Sequence, residues 1–469
     1  MMHWNKTLVI KDIINKLMID NSIYEQRDWK GYERILFRFL FAYFLLQIVP
    51  VDWKFYERLS QINWLQLGLA DLFNISRYTR QIVETPTSAD FWGIHTFADW
   101  GVMAVIAFIV AAVWSFVDKR KEYDRLYYIL RVIVRYRLAI GVIAYGFLKL
   151  FPLQSPYPAL STLNTNYGDL SAWKIFSLSL GIAPSFEVFL GSVEILAGLL
   201  LLNRKTVFLA SFIILCFTGN VFLSNLAYEG GETVYSLYLI QLALFLLWYD
   251  APRLFTLLSL EKPAHPNKFK WVYTKRQYQV RLLLKGLFVF TFVIFYGAKA
   301  YSVYRQGGYQ YPLAKGPLQE GFYEVTHFVY NGDSIAFSNS NRLRWQNVVI
   351  EKWPTLSIKT GKYSASHSSN VEIIHTADTA RDYEYSGTTA RQYYRYQLDT
   401  NTHKLVLKTL NDKREPDLSF TFNRRDDRTI TLTGRNTTGD SLYVVLQQVD
   451  KKYLLEEAKK AGRRSRLVL

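Results

Sequence analysis

Cysteine is almost missing: 469 residues contain one, Cys216. That excludes a disulfide within the chain and any CxxC dithiol chemistry. There is no Walker loop, no GxGxxG turn and no G-x-S-x-G elbow, so nucleotide-driven and serine-based chemistry have no support. Histidine is scarce, with seven in all. Only His95 falls in a long apolar run, which argues against a bis-histidine haem. No cleavable leader is evident, because the first 30 residues are polar and mixed in charge. Internal repeats and low-complexity linkers are lacking too.

What the chain has in excess is apolar surface. Half of it is hydrophobic and 16% is aromatic, with 33 Tyr, 31 Phe and 12 Trp. That is too apolar for disorder and long enough for two domains. The apolar residues crowd into runs before about residue 300, and a polar, Thr- and Tyr-rich stretch follows. The net charge of +17 sits mainly in short loops between these runs. In a membrane protein that pattern reports topology, so no nucleic-acid partner is expected.

A span needs about 20 predominantly apolar residues. Candidates are 34–50, 91–117, 126–150, 182–202, 206–227, 233–249 and 281–300, about seven transmembrane helices in all. Arg34 and Arg38 in the first can snorkel to the interface. The stretches 118–137, 203–205 and 250–281 are rich in Lys and Arg, whereas 151–176 carries only Lys174 and 229–232 carries no base. Basic loops stay cytoplasmic. The expected topology is therefore a cytoplasmic segment 1–33, a helical domain 34–300 and an extracytoplasmic domain 301–450, followed by a basic tail 451–469. Segments such as FYEVTHFVY before Asn331-Gly332, TLSIKTGKYS, HKLVLKTL and SLYVVLQQV alternate and are separated by turns. They predict a C-terminal all-β antiparallel barrel or sandwich.

Within the spans the polar residues fall toward one side. FEVFLGSVEILAG (186–198) places Glu187 and Glu194 seven residues apart, nearly two turns, on one helix face. Charge near mid-bilayer costs at least a few kcal/mol, so both should face protein or water. His95 and Asp99 lie one turn apart, and AYGFLKL (144–150) contributes Tyr145 and Lys149. Asn220, Asn225, Tyr235, Tyr238 and Gln241 map to the same half. The reading is a polar cavity open to the outside. Each residue has a plainer alternative: Lys149 as a snorkelling anchor, His95 and Asp99 as a helix start, Glu187 as an interfacial carboxylate, and Glu194 paired structurally with Lys149 or an Arg. No metal site is expected.

RLAIGVIAYGFLKLFP (137–152) and FEVFLGSVEILAGLLLLNRKTVFLASFIILCFTGN (186–220) resemble the DoxX family of bacterial membrane proteins. The matching positions are Arg137, Gly146, Lys149, Glu194, Gly198 and the Asn203-Arg204-Lys205 turn. LQEGFYEVTHFVYNG, the later RW and YQLDTNTHKLVLK are similar to the extracytoplasmic domain of long DoxX-like proteins of Bacteroidetes, although LLEEAKKAGRRSRLVL replaces an aromatic ending. The likeness covers spans three to six and most of the tail. PVDW (50–53), the Gly146/Lys149 spacing and DAPRL (250–254) resemble the HTTM and vitamin K-dependent carboxylase group. There, Lys149 would be a base facing a quinol-like ligand.

The DoxX resemblance implies a bacterial inner-membrane protein, often a non-catalytic partner in quinone- or sulfur-linked redox and envelope stress. The first expectation is thus an envelope component whose periplasmic, Tyr-rich β domain binds other membrane or periplasmic proteins. The second is a quinone-binding oxidoreductase subunit, with Lys149, Glu194 and His95 handling protons in a cavity that Arg137 also joins. The third is a lipid or small-molecule transporter or a carboxylase-like enzyme.

Overall fold

The computed structural model describes residues 29–50, 52–80, 82–83, 97–264, 269, 271–365 and 370–462. His95 lies outside them, as do residues 1–28 and 463–469 of the two terminal segments. The long helices are α1 (Gly31–Ile48), α4 (Ala98–Val117), α5 (Asp124–Leu150), α8 (Pro184–Leu201), α9 (Val207–Ala227), α10 (Thr233–Trp248) and α12 (Lys275–Gln306). Shorter ones are α2 (Trp53–Gln61), α3 (Leu69–Arg77), α6 (Leu160–Leu163), α7 (Ala172–Gly181), α11 (Ala251–Leu258) and α13 (Leu454–Ala461).

Among the described residues five helices are long and apolar enough to cross a membrane. They are the one beginning at Gly31, α4, α8, α9 and α12, and the count becomes six if α10 and α11, bent by 65°, form one span. The sequence reading gave seven. The difference rests on α5, which has the length but carries Arg131, Arg135 and Arg137 along it. Most of its second half is buried, packed by α8, α10, α1 and α3, so it need not be apolar all round. α12 also runs further than 281–300 and passes through a π-helical turn at Phe290–Phe295.

Helix α8 lies unusually close to α5, and glycine is the reason. A Cβ on Gly191 would stand 2.3 Å from the Leu150 nitrogen, and one on Gly198 would stand 2.4 Å from the Ile143 side chain. On α5, a Cβ at Gly146 would meet Ile195 at 2.8 Å. Small residues on facing surfaces let helix backbones approach where lipid offers no hydrophobic drive.

The C-terminal region is a closed antiparallel barrel of eight strands: β1 (Gly321–Tyr330), β3 (Asn347–Ile350), β4 (Thr355–Lys359), β5 (Gln392–Asp399), β6 (Lys404–Thr409), β7 (Leu418–Arg424), β8 (Thr429–Asn436) and β9 (Ser441–Val449). β1 pairs with both β3 and β9, which closes the sheet and removes its edges. The short β2 (Asp333–Ser334) hairpins back on β1 through Asn331-Gly332, both at positive φ as a tight hairpin turn requires. Alternate side chains such as Val325, Ile358, Leu407 and Leu432 fill the interior. The void left inside is about 10 Å³, no more than one water needs.

The basic stretches meet at one end: the Arg204 guanidinium lies over Tyr128 and donates to the Phe269 carbonyl, and Tyr128 hydrogen-bonds Tyr273. The barrel sits at the other end, against residues 154–177 and 229–232. There Leu170 bridges Thr388, Ser171 N donates to Gly387 O, and Gly231 N donates to Asn370 O.

Candidate functional site

A cavity of about 220 Å³ lies where the barrel region meets the bundle. Of the residues singled out in the sequence, Tyr145, Lys149, Glu194, Asn220, Asn225 and Tyr235 line it. Lys149 Nζ donates to Glu194 Oε1 at 2.5 Å, with both side chains more than 90% buried. The pairing follows from the close approach of α5 and α8. Glu194 lies between Gly191 and Gly198 on one helix face, and Lys149 is one turn beyond Gly146. Glu194 Oε2 is buried without a hydrogen-bond partner.

Tyr145 OH donates to Glu232 Oε2 at 2.7 Å, and Arg77 grips the same carboxylate at 2.8 and 2.9 Å. Asn225 Oδ1 accepts the Glu232 backbone N–H at 3.1 Å, fixing the entry to α10. The Tyr145 and Tyr235 rings lie 5.5 Å apart.

Other expected members go elsewhere. Asp99 accepts the N–H groups of Ile82 and Val83 at 2.7 and 2.8 Å and does not line the cavity. Arg137 donates to the carbonyls of Ser76 and Tyr78, satisfying the open end of α3. Gln241 donates to Gln47 at 2.8 Å and ties α10 to α1. Glu187 is buried beside the cavity, where its Oε1 accepts Ser155 N at 3.2 Å. Depth along a helix is legible in sequence, but the direction a side chain faces depends on which neighbour packs there.

The wall also holds residues that sequence reasoning missed: Glu232, Glu372, His375, Asp382, Tyr383 and Ser177. Several come from residues 370–391, a non-strand excursion between β4 and β5. Glu372 accepts Tyr309 OH at 2.7 Å, Gln154 Nε2 at 3.0 Å and Gln310 Nε2 at 3.1 Å. Its backbone N–H donates to Glu232 at 3.0 Å and its carbonyl accepts Arg77 at 3.2 Å, which locks the two domains together. Burial pushes its carboxyl up to about 7, against the Tyr309 and Gln154 hydrogen bonds that favour the anion. Lys174 on α7 is wholly buried, donates to the Tyr383 carbonyl and lies 3.6 Å from that ring's centroid. Burial brings its ammonium down to about 7, with Glu384 and Asp382 pulling the other way.

Tyr-rich surface is spent at this junction. Tyr309, Tyr383 and Tyr393 are buried, and Tyr383 OH pairs with Ser177 at 2.7 Å. Tyr311 stacks on Trp353 at 4.6 Å and accepts the Ala159 N–H at 3.1 Å. Their neighbours include the chain's own residues 159–177. Among the described residues no group of three His, Cys, Asp or Glu converges as a metal set. No protein-family model, no curated protein and no solved structure matches this chain.

Proposed function

We propose that the chain is a DoxX-like multi-pass protein of the bacterial inner membrane, with seven spans, a cytoplasmic N-terminus and a periplasmic barrel. It binds a lipid-soluble small molecule in the seam between bundle and barrel, and Lys149 and Glu194 are the acid–base couple that faces it. A quinone head is one molecule of this size.

The observation that carries this reading is the buried Lys149–Glu194 pair opening on a cavity of about 220 Å³. A buried ion pair is a poor stability device, since a well-packed apolar pair of similar volume often does as well or better. A pair that also borders empty, partly polar space is suited to bind a ligand and to give or take a proton. Asn220, Asn225 and Tyr235 supply hydrogen-bonding groups around it.

The partner-protein reading retains support from exposed apolar side chains on the barrel region: Phe337, Leu343 and Tyr363. In that reading the barrel is a docking platform, and no small molecule is required.

Purification into lipid nanodiscs, followed by mass spectrometry of the extracted small molecules, separates the two. The expected result is a stoichiometric lipid-soluble compound in the wild type that is lost in Glu194→Ala and in Leu190→Trp, which puts a larger side chain into the cavity wall. Stoichiometric partner proteins with no small molecule would overturn the ligand reading.

A further inference from the structure

The cavity has two kinds of wall. Phe186, Leu190, Phe217 and Val221, from α8 and α9, line its apolar side. Phe186 is 50% exposed, and Asn220, on the same wall, is also exposed. Lining residues that are also exposed mark a mouth between α8 and α9. On either side these helices show Phe189, Leu196, Phe212 and Leu223 outward, the surface that lipid would cover. Near the barrel, Phe176 stacks on Tyr228 at 4.9 Å and forms the upper rim. The mouth therefore opens sideways into the leaflet nearer the barrel.

Deep in the cavity the acids outnumber the bases. Arg77 is committed to Glu232, and Lys174 stands near Asp382 and Glu384. That leaves Lys149 as the ammonium facing Glu194 and Glu187, with Glu372 close by. Among the described residues His375 is the other basic residue on the wall, which carries four acidic ones, Glu194, Glu232, Glu372 and Asp382. A second observation points the same way. Glu194 is 93% buried, yet its Oε2 has no partner, and Glu187 Oε2 is equally without one. Buried acceptors left open cost about 1–3 kcal/mol each, more when charged, and a donor that reaches them recovers that cost.

We propose that the seam takes the ammonium head of an amphiphile from the barrel-side leaflet, which enters between α8 and α9 and leaves its chain along the apolar mouth. The proposal rests on the reading of the cavity as a ligand site. The ammonium donates to the open oxygen of Glu194, and Lys149 remains bound to Glu194 Oε1. Asn220 at the mouth meets the polar linkage between head and chain.

The test measures binding of dodecylamine, dodecanol and dodecanoate to the protein in nanodiscs, with empty nanodiscs subtracted. The amine should bind at least about tenfold tighter than the other two, which is about 1.4 kcal/mol. Glu372→Gln, which keeps its acceptor for Tyr309, should lower the amine's preference severalfold and leave the alcohol unchanged. Glu194→Gln should lower it further. Leu190→Trp should weaken all three. If the alcohol or the carboxylate binds as tightly as the amine and Leu190→Trp still weakens it, the ammonium proposal falls and the ligand cavity stands. If Leu190→Trp changes none of them, the cavity reading falls as well.

Discussion

The barrel interior and the seam below it are filled by opposite rules. Inside the barrel, Val325, Ile358, Leu407, Phe420 and Leu446 interdigitate around a void of about 10 Å³. At the seam, a space some twentyfold larger is walled by Lys149, Glu194, Glu232 and Glu372 together with Phe217 and Trp173. One region spends its residues on close packing, the other on buried charge beside empty space. A β domain that enclosed the ligand would invert this, with polar side chains inside the barrel. The barrel region instead lends one wall to the cavity, through residues 370–386.

If that contrast is right, seam and barrel substitutions should separate cleanly. The largest effect belongs to the ion pair. Lys149→Met strands a buried carboxylate and should cost about 3–5 kcal/mol in unfolding, whereas Lys149→Met with Glu194→Leu should recover most of the loss. Thermal unfolding in nanodiscs checks this. A single variant as stable as the wild type would mean Glu194 has water or another partner.

Next comes pH. Glu372 ionises near 4.5 when unfolded and near 7 when buried, so between these values the folded state holds more protons and stability falls as pH rises. The loss is about 3 kcal/mol by pH 8. Glu384, pushed to about 8 chiefly by burial, adds to the same limb, so Glu372→Gln should flatten the profile in part. Lys174 acts in the opposite sense, regaining stability above pH 7. Denaturant titrations from pH 5 to 9 give the slopes, and a profile unchanged by Glu372→Gln would place that carboxylate in water.

Gly191→Ala should follow, at about 2 kcal/mol, because its Cβ meets the backbone of Leu150 and Gly146 at 2.3 and 2.5 Å. It should also part Lys149 from Glu194 and reduce ligand retention, so equal stability and retention would sever the packing from the site. The smallest effect is in the barrel: Ile358→Val should cost about 1 kcal/mol and leave ligand content unchanged. A change in ligand content there would blur the distinction between the two regions.

Legibility divides along the same line. The eight barrel strands follow from period-two alternation and turn residues, local signals that need no partner, and Asn331-Gly332 sets the first hairpin. The long helices follow from apolar runs. Lys149 and Glu194 could be ranked by depth, and glycines one turn away brought their helices into contact. Arg137 and Gln241 are polar residues within long helices too, but α3 and α1 claimed them. The contribution of residues 69–80 could not be read, because that segment looks like an outer loop and folds back into the bundle. Its bond from Arg77 to Glu232 crosses 155 positions, and the Glu372–Glu232 bond crosses 140. Such pairings leave no period in the sequence.

The most direct test is a high-resolution map of the wild-type protein in native lipid. The account predicts continuous non-protein density running from the α8–α9 mouth to within hydrogen-bonding distance of Glu194 or Lys149. A seam that holds only isolated waters, or one in which the barrel has swung away and left Lys149 and Glu194 facing bulk solvent, would contradict it.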